Sequence, residues 1–95
     1  MALVHFVGMN KVLGEADTRA VEGILVRELG VEPAQLTLEA RFEEDLGSDS
    51  LAVVEIAMAI EEHFDLSIPD ERWDQVKTVG DLYEMLAESL QERRR

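Results

Sequence analysis

Ninety-five residues, 46% of them hydrophobic, make one small domain with a single modest core, and the absence of cysteine leaves neither a disulfide framework nor a zinc–thiolate site. A formal charge of −12 repels nucleic-acid phosphates, so nucleic acid is not expected as a partner and basic surfaces are. The apolar stretch Ala2–Val7 is far shorter than the ~20 residues that cross a bilayer and has no basic flank, so neither a membrane span nor a cleaved signal is expected, and a reducing cytoplasm fits the lack of thiols.

Residues 1–13 read as an extension ahead of the main domain, weakly structured, a short strand or dependent on a partner, since Met1–Asn10 shows no strong period. A first helix is expected from about Glu15 to Leu29, with Asp17 and Thr18 offering an acid and a capping oxygen near its start and Gly30 suiting a left-handed stop. Its buried stripe is Val21, Ile24, Leu25 and Leu29. The connection from Val31 to Ser48 is long for a compact domain, which predicts that it packs its own side chains. Leu36, Leu38, Phe42 and Leu46 are its pins, while Glu39, Arg41, Glu43, Glu44 and Asp45 stay in water.

A second helix is expected from Ser50 to about His63, because Ala52–Phe64 contains no Pro or Gly and its apolar residues recur at helical spacing. Val53, Ile56, Ala57, Ile60 and Phe64 fall on the core face. Leu51, Glu55, Met58 and Glu62 fall on another, with Asp49 at its head, and this mixture of apolar and acidic positions suits repeated docking with different partners. The unpaired amides and partial positive charge of the first turn would welcome a phosphate, although Asp49 and Ser50 are equally good plain caps.

Ser67–Glu71 sets Pro69 at a first helical position with acids after it, opening a short third helix through about Gln75, with Trp73 either packed or half exposed. Thr78-Val79-Gly80-Asp81 resembles a capping box, with Asp in place of the usual Glu or Gln, and leads into a fourth helix through Leu82, Met85, Leu86 and Leu90. Residues 92–95 form a basic tail in which Arg93, Arg94 and Arg95 offset the negative end of that helix in solvent. No metal site is expected: His5 and His63 lack companion ligands, and the acids near Gly47 do not follow the alternation of a calcium loop. From Glu39 to Asp74 twelve acids face only Arg41 and Arg72, a net −10 that surrounds Ser50 and its helix.

The phrase Asp45-Leu46-Gly47-Ser48-Asp49-Ser50-Leu51, followed by Val54-Glu55, Glu61-Glu62-His63-Phe64 and Ile68-Pro69-Asp70-Glu71, closely resembles the acyl carrier proteins, over about residues 15–91. The resemblance implies an all-α four-helix bundle at residues 14–91 with a short third helix and a long loop between helices I and II. It implies a monomeric carrier with no catalytic residues, not an enzyme. Within the family the signature serine carries 4′-phosphopantetheine through a phosphodiester, and Ser50 stands in the matching position, with Ser48 as its near neighbour. The arm's thiol holds acyl groups as thioesters. The implied partners are a phosphopantetheinyl transferase and acyl-processing enzymes with basic docking patches. The family places partner recognition on the second helix, here Asp49, Leu51, Glu55, Met58 and Glu62, and an acyl-chain space between the helices, here Val53, Ala57, Ile60, Ile68, Leu82 and Leu86.

The expected function is delivery of acyl intermediates to enzymes of fatty acid or related lipid biosynthesis. Carriers of fatty acid synthesis commonly have an acid directly after Asp-Ser-Leu, where this chain has Ala52, and that departure keeps open a specialised carrier for a polyketide or nonribosomal peptide pathway. A reading from another class is a non-carrier acidic helical interaction module in which Ser50 is only a cap. Uptake of the arm by Ser50 separates the two.

Overall fold

The structure is a computed structural model and describes residues 5–7 and 11–93. Four helices follow the expected order: α1 (Glu15–Leu29), α2 (Ser50–Phe64), α3 (Asp70–Asp74) and α4 (Val79–Arg93). α1 packs against α2, and the core is largely aliphatic, with Val21, Leu25, Ile60, Leu82 and Leu86 fully buried beside Tyr83. Each such side chain contributes about 1.5–3 kcal/mol relative to leaving it in water.

α1 begins directly after an extended Gly14, which makes no side-chain cap. Thr18, expected to help at this end, lies inside the helix and its Oγ1 donates back to the Gly14 carbonyl at 2.9 Å. The start is therefore held by Thr18 turning inward and not by a capping oxygen accepting from an amide. The far end is as expected, with Gly30 at φ 68° and its N–H donating to the Val26 carbonyl.

The loop between α1 and α2 packs its own side chains. Leu36, Ala40, Phe42 and Leu46 are buried and Leu38 is half-buried, after a single tight turn at Pro33–Gln35. Three backbone hydrogen bonds fasten it to the start of α4: Phe42 N to Lys77 O at 3.0 Å, Val79 N to Ala40 O at 3.0 Å and Gly80 N to Leu38 O at 2.9 Å. Two of them use amides of the first turn of α4, which have no partner within the helix. Glycine at position 80 permits this approach, because a Cβ there would sit 3.0 Å from the Leu38 oxygen.

The Thr78–Asp81 box is reciprocal despite its shorter acid. Asp81 N donates to Thr78 Oγ1 at 3.0 Å, while Asp81 Oδ2 accepts from Thr78 N at 3.2 Å and from Lys77 N at 3.0 Å. Pro69 stands one residue outside α3 as its cap, with ψ 149°, and not at its first position. α3 is a single turn, tied to α4 by Arg72, which pairs with Glu88 at 2.8 Å and Glu92 at 3.5 Å. Arg93 does not serve only its own helix end: it donates to the Phe64 carbonyl and pairs with Asp65 at 3.4 Å, so it covers the C-terminus of α2.

Ahead of the bundle, β1 (His5–Val7) and β2 (Lys11–Leu13) pair antiparallel, with His5 opposite Leu13 and Val7 opposite Lys11. Both strands lie against α4, and Leu13 is buried in the core. α4 is consequently covered on more than one side, with Tyr83, Met85, Leu86, Ala87 and Ser89 all buried. The remaining expectations for Met1–Asn10, and those for Arg94 and Arg95, lie outside the described residues.

Candidate functional site at the start of helix α2

Gly47 turns the chain at φ 70°, a left-handed conformation that favours glycine, and delivers Ser48 beneath the surface. Ser48 donates its N–H to the Phe42 carbonyl at 2.8 Å and its hydroxyl to the Asp49 carbonyl at 3.2 Å. Asp49 is extended and caps α2: its Oδ1 accepts from Ala52 N at 2.8 Å and its carbonyl accepts from Val53 N at 3.1 Å. Ser50 is the first helical residue and is exposed. The two signature serines are thus sorted by burial, one locked into the turn and the other presented to solvent.

Asp45, in the same signature, closes the preceding turn. The Arg41 backbone N–H donates to its carboxylate at 2.8 Å, and this bond, with help from the Arg41 guanidinium, holds the Asp45 carboxyl below its usual value. Its place in the phrase is explained by geometry.

Down the outer face of α2, Leu51 and Met58 are each 64% exposed, and Glu55 and Glu62 lie in solvent beside them. Asp49 stands at the head of this face with its carboxylate engaged in the cap. Val54, at 52% exposure, joins Leu51 and Met58 at spacings of three and four, so the apolar stripe is more continuous than the sequence reading made it. The signal was present in that spacing, but the sequence reading placed Val54 on neither face.

The six residues expected around an acyl chain divide into two groups. Ile60, Ile68, Leu82 and Leu86 are buried, whereas Val53 and Ala57 are half-buried. Val53 and Ala57 line an open groove of about 450 Å³ between α2 and α3, together with Val54, Met58, Glu61, Asp70, Trp73 and Asp74. Val53 and Leu82 line a second, much smaller and partly open space of about 10 Å³ with Phe42, Ile56, Trp73 and Val76. Glu61 and Trp73 were not anticipated here: Glu61 Oε2 accepts from Ile68 N at 3.0 Å and from Trp73 Nε1 at 3.4 Å, fastening α3 to α2.

An exposed hydroxyl on the first residue of a helix, with the dipole's positive end around it, fits a phosphodiester. Among the described residues no helix is long and apolar enough to cross a membrane. Residues 19–86 match the family model described as phosphopantetheine attachment site. The chain is similar to an acyl carrier protein of Bdellovibrio bacteriovorus, with 53% identity over 62 residues that cover 65% of this chain and 80% of the relative. It is also similar to an acyl carrier protein of Helicobacter acinonychis, with 44% identity over 69 residues that cover 73% of this chain and 88% of the relative. The hairpin β1–β2 precedes the matched residues. A helix-opening serine held out by its own turn, in a bundle with this match along most of its length, places the chain in the acyl carrier protein family, as a carrier with a covalent 4′-phosphopantetheine and not an enzyme.

Proposed function

We propose that Ser50 is the residue that bears the 4′-phosphopantetheine arm, and that the protein carries acyl intermediates for fatty acid or related lipid biosynthesis. The observation that carries the assignment is the contrast between exposed Ser50 and buried Ser48 within one signature. When attached, the arm supplies a thiol that holds the acyl group as a thioester. The chain's own part is to present a hydroxyl, surround the phosphodiester with first-turn amides, and offer a face on which partners dock.

Docking falls to Asp49, Leu51, Glu55, Met58 and Glu62, with Val54 added. Exposed apolar side chains flanked by carboxylates suit basic patches on a phosphopantetheinyl transferase and on acyl-processing enzymes. Exposed charge pairs speed encounter yet hold weakly, which is what a shuttle requires. Ala52 keeps this helix start without an acid at that position, and a specialised polyketide or nonribosomal peptide carrier remains the second reading on that observation.

Incubation with a phosphopantetheinyl transferase and coenzyme A, followed by intact-mass measurement, tests the assignment. The wild type and Ser48→Ala gain one arm, and Ser50→Ala gains none. An unmodified wild type would instead favour an acidic interaction module.

A further inference from the structure

A groove separate from the one between α2 and α3 opens beside the modification site. It holds about 300 Å³ and runs between the end of α1, at Glu28 and Leu29, and the start of α2, at Asp49, Leu51, Ala52 and Glu55. Both chain neighbours of Ser50 are therefore in its wall. Its apolar part is Leu29, Leu51 and Ala52, with Leu51 64% exposed. Its charged part is three carboxylates, with no basic side chain among the described residues that line it.

The charges come from both helices. On the α2 wall, Asp49, Ala52 and Glu55 recur at a spacing of three, and the middle position carries no charge. The Asp49 carboxylate is already engaged in the cap, where Oδ1 accepts from Ala52 N at 2.8 Å, and the first-turn amides around it are the positive end of the helix dipole. Glu28 stands instead in the last turn of α1, where the dipole is negative. Its side chain is 22% exposed and pairs with Arg27 Nε at 3.4 Å, and since Arg27 lies 66% in solvent the pair is weak enough to yield to a competitor. A cation entering the groove is thus drawn toward the α1 wall, and a long stem behind it lies against the leucines.

We infer that this groove seats an arginine or lysine side chain of the phosphopantetheinyl transferase, and that Glu28 of α1 is a docking residue for the enzyme that loads Ser50. The inference rests on Ser50 bearing the arm. The occupant is assigned to the loading enzyme because the groove borders the hydroxyl itself. An enzyme that acts on the Ser50 oxygen must come down onto that spot, whereas one that acts on the thiol needs only the far end of the arm.

Steady-state loading of the full chain by the transferase and coenzyme A, read by intact mass at low and high salt, tests this. Glu28→Gln is expected to raise KM for the carrier about two- to fivefold, the effect of one exposed ion pair, with kcat changed less and the difference shrinking in high salt. Glu15→Gln removes the same charge from the other end of α1, about 20 Å away, and is expected to leave KM near wild type. Ala52→Asp in the Glu28→Gln background returns a carboxylate to the opposite wall and is expected to lower KM again. A KM for Glu28→Gln no higher than for Glu15→Gln overturns the docking role. A rise that high salt leaves intact, or that Ala52→Asp does not reverse, overturns the basic occupant. An equal rise in KM for an acyl-processing enzyme acting on the loaded carrier overturns the assignment to the loading enzyme. A wild type that gains no mass removes the Ser50 reading as well, whereas loading indifferent to Glu28 removes this inference alone.

Discussion

Tyr83 shows how one residue reports on the integrity of the whole interior. Its side chain is almost wholly buried, and burial, reinforced by the nearby Glu22 carboxylate, pushes its phenol up to about 12 from 10.0. In the unfolded chain the phenol ionises near its ordinary value, so between about 10 and 12 the folded state holds the proton more tightly. Stability from this group is intact below the ordinary value and is lost as pH rises through the folded one. Tyrosinate absorbance is expected to titrate near 12 in the native protein, with chemical-denaturation midpoints falling across that interval. A midpoint near 10 in the folded protein would mean that Tyr83 is reached by water.

Ser48 and Ser50 make a related point about legibility. The signature in the sequence singled out Ser50, but the burial of Ser48 rests on a hydrogen bond to the Phe42 carbonyl six residues back, which no local pattern contains. Thr18 is the converse case. A threonine near a helix start reads as a cap, yet the helix begins three residues earlier and the hydroxyl turns to the Gly14 carbonyl.

At the scale of elements, the helices were readable because their apolar residues recur with a strong period, and α1, α2 and α4 appear where spacing put them. The hairpin was not, since strands of three residues are too short to display alternation. Trp73 was undecided for a different reason: α3 is one turn, too short for a face to emerge, and the side chain's position depends on Glu61 of another helix. The proposed docking face belongs to this scale as well. Glu55→Lys and Met58→Ala alter exposed positions of α2 and leave its buried side untouched, so acyl transfer from partner enzymes is expected to slow several-fold with a thermal midpoint close to wild type. Unchanged transfer kinetics in both variants would move the docking surface to another face.

For the whole molecule, the question is how a small bundle gains enough core. Part of the answer is Leu13, buried at the end of β2 where the hairpin meets the helices, ahead of the residues that match the family. A buried leucine cut to alanine costs about 2–5 kcal/mol, a large share of the stability of a domain this size. Leu13→Ala is therefore expected to lower the urea midpoint markedly without preventing uptake of the arm by Ser50. A shift within error would show that the bundle is complete without its leading strands. The concentration of charge acts at the same scale, because a net −10 between Glu39 and Asp74 favours approach of basic surfaces to that part of the chain.

The splint between the long loop and the head of α4 redistributes where this protein can give. Leu38, Ala40 and Phe42 are fastened by their backbones to Lys77, Val79 and Gly80, so the longest helix-free stretch is anchored as firmly as an extra strand would be. What remains hung between fixed posts is the short span from Asp65 to Val76, suspended from Glu61 at one side and from Glu88 and Glu92 at the other. The span that carries the tryptophan is thus tied down by side-chain carboxylates, where the long loop is tied down by backbone bonds.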